Sequence, residues 1–135
     1  MPKFSTRSKK NLAGAHPLLQ QLFNEVIKDF DCVVLDSQRG RADQEKAFKM
    51  GNSKAHFGQS AHNWAPAVAL DVVPFPIDWG NTAAFKALGK VVKAKAKALG
   101  VPIGWGGDWK TFKDLPHYEL TPWREFAKKS KLFEG

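Results

Sequence analysis

A single cysteine, Cys32, stands among 135 residues, which excludes an intramolecular disulfide framework and any multi-cysteine zinc cage. A metal site in this chain must use histidine and carboxylate. Long apolar runs are also missing. No stretch of about 18 apolar residues occurs, and no signal-peptide core follows the basic opening MPKFSTRSKKNLAG. The expectation is a protein made soluble in the cytoplasm, without an anchor of its own. HExxH, CxxC, Walker and dinucleotide-binding glycine motifs are absent, as are internal repeats and low-complexity linkers, so the commonest zinc and nucleotide classes fall away.

What is present is ordinary globular material, 43% hydrophobic and 25% charged, which suits one domain over residues 1–135. A chain of this length buries roughly two thirds of its unfolded surface, enough for a core without staples. The 10 Phe and 5 Trp are expected to supply much of that core. With 21 Lys and Arg against 13 Asp and Glu the formal charge is +8. That balance favours polyanionic partners: nucleic acid, anionic lipid head groups or a phosphate-rich envelope.

Periodicity predicts an α+β pattern, a small antiparallel sheet with flanking helices. Leu18, Leu19, Leu22, Phe23, Val26, Ile27 and Phe30 recur at helical spacing behind Pro17, a favourable first-turn residue. CVVLD at 32–36 is a short β-branched strand, and RADQEKAFKM at 41–50 a helix stopped by Gly51. Residues 52–66 lack periodicity and form a loop of functional length. AVALDVV at 67–73 is an apolar strand ended by PFP. The following helix places Phe85, Leu88, Val92 and Leu99 on one face and Lys86, Lys90, Lys93 and Lys97 on the other, between an Asn81 cap and Gly100. Short strands at 101–105 and 117–120, then a terminal helix opened by Thr121-Pro122, complete the reading. Only Phe85 accompanies the lysine stripe, whereas nucleic-acid binding wants interleaved aromatics, so no nucleic-acid partner is expected.

Of the four histidines, His16 precedes Pro17 at a helix start and reads as a cap, and His56 reads as a surface residue. His62 and His117 differ. His62 leads into a strand carrying Asp71, an acid inside an apolar run, and a buried carboxylate needs a partner or a cation. His117 lies between Asp114 and Glu119. The spacing leaves two readings open, ion pairs with the many Lys and Arg residues, or two imidazoles and a carboxylate around zinc with a further acid to take a proton.

Four stretches then resemble the zinc D,D-carboxypeptidase and L-alanyl-D-glutamate peptidase family, the VanY-like branch of a group that includes the hedgehog fold. They are NLAGAHP at 11–17, SQRGRADQEKAFKMGNSKA at 37–55, SAHNWAPAVALDVVPFPIDW at 60–79 and WGGDWKTFKDLPHYEL at 105–120. The resemblance implies a zinc peptidase acting on peptidoglycan, with His62, Asp71 and His117 as ligands and Asp114 as general base. It also implies that Arg39 steadies the oxyanion and that Ser60 lies beside the substrate, while Trp64 flanks the site with an aromatic face suited to a peptide groove. Trp105 and Trp109 flank the same region, and Gln44 and Lys54 match family positions that packing and solvation explain equally well. Glu119 is not favoured as a partner of His117.

Eight residues separate His62 from Asp71, a wider spacing than the commoner family pattern, which also has a glycine after the histidine. This implies an enlarged loop before the strand. Asp114, where many D,D-acting relatives carry Glu, points to L-alanyl-D-glutamate as the bond. The small phage endolysins that the chain resembles carry no separate wall-binding domain and wait in the host cytoplasm until the membrane opens. Such a protein is expected to be a monomer whose positive charge helps it meet anionic outer-membrane or wall polymers.

Overall fold

Leu19, Leu22, Phe23, Val26 and Ile27 are all buried along one side of α2 (Pro17–Asp29) in the computed structural model, which describes residues 2–135. His16 caps this helix, its Nδ1 accepting from the Leu18 N–H at 3.1 Å. The second long helix, α4 (Thr82–Leu99), starts at Asn81, whose side chain accepts from the Ala84 N–H, and stops at Gly100 with φ 72°. That left-handed turn is open to glycine without steric cost. Phe85, Leu88 and Val92 face inward from α4, and Lys86, Lys90, Lys93 and Lys97 are exposed.

Against these helices lies a four-stranded antiparallel sheet in the order β1-β3-β5-β4, formed by β1 (Cys32–Asp36), β3 (Ala69–Pro74), β5 (His117–Leu120) and β4 (Ile103–Trp105). Leu70 and Val72 of β3 join Tyr118 and Leu120 of β5 in the core, and Phe23 meets the Tyr118 ring edge-on at 5.5 Å. The core is mainly aliphatic, contrary to expectation. Three phenylalanines (Phe4, Phe23, Phe85), one tryptophan (Trp105) and Tyr118 are buried, and the other phenylalanines and tryptophans sit nearer the surface.

The basic opening is itself ordered as α1 (Thr6–Ala13), capped by Ser5. Its polar side chains serve the outer edge of β1: Ser8 Oγ accepts from the Val34 N–H at 3.0 Å, and Asn11 Nδ2 donates to the Val34 carbonyl at 2.8 Å. At Val34 the edge strand thus has its backbone N–H and carbonyl satisfied from within the chain. Helix α3 (Arg41–Lys49) follows β1, and the short α5 (Trp123–Ala127) follows β5.

The wide connection between His62 and Asp71 is ordered. It holds a 3₁₀ turn (Ala61–Asn63) and β2 (Trp64–Ala65), which pairs antiparallel with β6 (Lys131–Leu132). Ala67 is tied to the NLAGAHP segment, donating to the Gly14 carbonyl at 2.9 Å and accepting from the His16 N–H at 2.8 Å.

Candidate metal centre

Strand alternation places the reactive side chains. In the β3–β5 register Asp71 stands opposite His117 and Ala69 opposite Glu119. Directly paired residues of antiparallel strands project from the same face, and residues two apart on a strand share that face. Asp71, His117 and Glu119 therefore gather on the side of the sheet away from Leu70, Tyr118 and Leu120. An irregularity between Val34 and Asp36 brings Asp36 opposite Asp71 from β1.

His62 reaches this face from the 3₁₀ turn. Ser60 opens the turn with its hydroxyl accepting from the His62 N–H at 3.2 Å, and Asn63 Oδ1 accepts from the Ser60 N–H at 3.1 Å. The result is a ligand-like cluster: His62 Nε2 lies 3.2 Å from Asp71 Oδ1 and 3.3 Å from His117 Nδ1. His117 Nδ1 lies 3.6 Å from Asp71 Oδ1. Both histidines are buried, and the Asp71 side chain is 19% exposed.

Each imidazole is fixed through its other nitrogen. His62 Nδ1–H donates to the Ser37 carbonyl at 2.8 Å, and His117 Nε2–H donates to Glu119 Oε1 at 2.6 Å. Such anchors turn the remaining nitrogen lone pair inward and raise its basicity. Glu119, disfavoured from sequence, is thus the direct partner of His117, because i and i+2 on a strand share a face.

The electrostatics fit a cation. Burial pushes the Asp71 carboxyl up, but the charges and hydrogen bonds of His62 and His117 outweigh it and hold the group well below the usual carboxylate range. Burial lowers His117, yet its hydrogen bonds to Asp71 and Glu119 carry it to about 9. The carboxylates that keep a proton on His117 would keep a metal ion in its place. Two imidazoles and one carboxylate, leaving positions open, form a donor set of the kind that binds catalytic zinc.

Arg39 is held on the same face by three acceptors: Asp36 Oδ2 at 3.2 Å, Gln44 Oε1 at 3.2 Å and Asp71 Oδ2 at 3.1 Å. Gln44 is fully buried. Besides receiving Arg39 and Asn63 at its oxygen, it donates to the Ala55 carbonyl at 2.7 Å. Asn63 Nδ2 in turn donates to the Arg39 carbonyl at 3.1 Å. Packing or solvation alone does not describe Gln44; it ties α3, the arginine and the histidine turn together.

Asp114 lies in the stretch joining β4 to β5, its N–H donating to the Gly106 carbonyl at 3.1 Å and its carbonyl accepting from the His117 N–H at 3.1 Å. A Cβ on Gly106 would come within 2.2 Å of the Asp114 carbonyl oxygen, so only glycine allows this approach. Burial raises the Asp114 carboxyl above its ordinary value, and the charge of Asp71 adds to the rise.

Arg39, Ser60, His62, Asp71, Asp114 and His117 all line one cleft of about 800 Å³. Trp109 borders it with its ring 5.1 Å from that of His117. Trp64 does not line the cleft. Its backbone is paired with Leu132 and its ring packs 6.4 Å from Trp123, which does reach the lining. Trp105 is core, stacked on Tyr118 and donating to the Leu115 carbonyl at 2.7 Å. His56 is exposed as expected and pairs with Glu45 at 2.8 Å.

An α+β domain with a His, Asp, His cluster in a surface cleft has the form of a metal-dependent hydrolase. Residues 1–121 match the family described as phage L-alanyl-D-glutamate peptidase, and the chain belongs to that family. The peptidoglycan L-alanyl-D-glutamate endopeptidase CwlK of Bacillus subtilis (strain 168) is 33% identical over 126 residues, covering 79% of this chain and 74% of that protein. The L-alanyl-D-glutamate peptidase of Escherichia phage T5 is 28% identical over 123 residues, covering 87% and 88%. The crystal structure of the Serratia marcescens L-Ala D-Glu endopeptidase ChiX superposes with a TM-score of 0.78 at 29% identity, over 93% of this chain and 94% of that one. The expected hedgehog-like peptidase fold is the one observed.

Proposed function

We propose that this chain is a zinc endopeptidase that cuts peptidoglycan stem peptides between L-alanine and D-glutamate, with His62, Asp71 and His117 holding the metal. The observation that carries the reading is the convergence of two anchored imidazoles and a carboxylate in a cleft, within a chain of this peptidase family. When bound there, zinc would polarise the scissile carbonyl and bring the pKa of water to about 7.

The chain's own groups do the rest. Asp114, its carboxyl already raised by burial and by Asp71, accepts a proton from the attacking water and returns it to the leaving amine. Arg39 has five N–H groups, of which three are bonded in the structure. The others are available to charge that develops on the carbonyl oxygen, where a rigidly held guanidinium is most effective. Its ion pair with Asp71 also fixes that ligand. Ser60 keeps its hydroxyl hydrogen for the substrate while its oxygen caps the His62 turn.

No described helix is long and apolar enough to cross a membrane. In this reading the protein waits in the host cytoplasm and meets the wall once the membrane is opened, its charge of +8 drawing it to anionic polymers.

Mass spectrometry of purified wall after digestion tests the bond. New N-terminal D-glutamate and glycan strands left with L-alanine are expected, and free D-alanine as the main product would make the chain a D,D-carboxypeptidase instead. Metal analysis tests the roles: Asp114→Asn should keep zinc and lose most turnover. Zinc lost from Asp114→Asn but kept by Asp71→Ala would reverse the two acids.

A further inference from the structure

The segment between β3 and α4 exposes three large apolar side chains, Phe75 (57%), Ile77 (44%) and Trp79 (61%). Of these, only Trp79 lines the cleft that holds His62, Asp71 and His117. One face of its indole is stacked on Phe85, with ring centroids 5.7 Å apart and an interplanar angle of 26°. Phe85 is itself buried in the first turn of α4. The turn beneath is pinned as well, with Asp78 Oδ1 accepting from the Gly80 N–H at 3.0 Å and Asn81 capping the helix. A large aromatic side chain is thus pre-positioned at the cleft, exposed yet braced from behind. Such exposure is informative in a way that a scattered surface leucine is not.

We propose that Trp79 is a stacking platform for a sugar ring of the glycan strand that carries the stem peptide. The inference rests on the peptidase reading above. In that substrate the L-alanine of the stem is joined through a short acyl link to the sugar, so a ring lies close to the scissile bond on its L-alanine side. The C–H face of a pyranose is neutral and flat, the complement of an indole face. Carboxylates of the stem would go instead to the lysines lining the cleft, Lys54 and Lys113. A lipid surface would engage Phe75, Ile77 and Trp79 together, but Phe75 and Ile77 lie outside the cleft lining, and continuity with the cleft selects the sugar.

The test compares kcat/KM on a muramyl-L-alanyl-D-glutamyl peptide with that on the same peptide acetylated in place of the sugar. Trp79→Ala should lower the ratio of the two about three- to tenfold through KM, the range of one aromatic stack, and Trp79→Phe should restore part of it. Phe75→Ser with Ile77→Ser should leave the ratio at the wild-type value. Equal losses on both peptides would overturn the proposal. Co-sedimentation with glycan strands stripped of their stems gives a readout independent of hydrolysis: Trp79→Ala should reduce binding, and undiminished binding would overturn the platform. Binding to anionic phospholipid vesicles that Trp79→Ala abolishes, with the peptide ratio unchanged, would assign the segment to a membrane. A wild type that cuts neither peptide would fell the peptidase reading, and strand binding would still decide about Trp79.

Discussion

The two faces of the β3–β5 ladder are built from alternate residues of the same two strands. Leu70, Val72, Tyr118 and Leu120 are fully buried under α2 and α4, whereas Asp71, His117 and Glu119 meet His62 and Arg39 on the other side. Stability lives on one face and chemistry on the other, with one residue of register between them. A slip of one residue would exchange the two sets. The apolar face therefore also fixes the geometry of the centre, because it holds the register that sets Asp71 opposite His117.

The comparison is broken most severely by removing a ligand-like group. His62→Ala, Asp71→Ala or His117→Ala should bring wall hydrolysis to background and abolish metal binding, measured by elemental analysis, while circular dichroism stays native. Metal retained in any of the three at wild-type affinity would remove that residue from the centre. Leu70→Ala is the converse. It should cost about 2–5 kcal/mol in denaturant unfolding, as expected for a fully buried leucine, while the folded fraction keeps its metal. Loss of metal from folded Leu70→Ala would mean that the faces are not separable.

Much of this contrast was legible beforehand, because a strand such as AVALDVV with one acid in an apolar run already declares that the acid has a partner. The helices α2 and α4 were legible for the same reason: period and caps are local. What escaped was non-local or polar. Helix α1 buries only Ser8 and Leu12, too little for an apolar stripe, and it exists because Ser8 and Asn11 satisfy the edge of β1 across more than twenty residues of chain. The pairing of β2 with the two-residue β6 has no periodic signal at all. It does explain the wide His62–Asp71 connection, since Trp64 and Ala65 pair with Leu132 and Lys131 and Phe133 donates to the Asn63 carbonyl at 2.8 Å. The aromatic residues misled for a different reason. Phe and Trp are apolar by composition, but composition does not say whether a ring goes to the core, as Trp105 does, or to the cleft, as Trp79, Trp109 and Trp123 do.

Glu119 sharpens the comparison within the polar face. It reaches the cluster only through His117, so Glu119→Ala should leave three donors in place but free one ring. Loss of such an outer hydrogen-bond partner typically costs 10–100-fold in metal affinity or activity. Competition with a chromophoric chelator would measure it, and unchanged affinity would make the Glu119 contact incidental.

The smallest effect is expected on α4, whose buried face serves the core and whose lysines face solvent. The four exposed ones, Lys86, Lys90, Lys93 and Lys97, are not equivalent. Lys93 is tied to Asp108 at 2.9 Å and lies over the Trp105 ring, 5.6 Å from its centroid, so replacing it would disturb packing near Gly89 and the sheet as well as charge. Lys86, Lys90 and Lys97 are the cleaner set. Changing these three to Gln removes three positive charges from exposed positions, so folding should be unaffected within about 0.5 kcal/mol. Long-range attraction to anionic envelope is screened over about 8–10 Å at physiological ionic strength. Lysis of intact envelopes should therefore slow several-fold at low salt and converge with wild type as salt is raised, while cleavage of a short soluble stem peptide stays at the wild-type rate throughout. A salt-independent loss on both substrates would place these lysines in the support of the fold rather than in the encounter with the wall, and would erase the distinction between the two sides of α4.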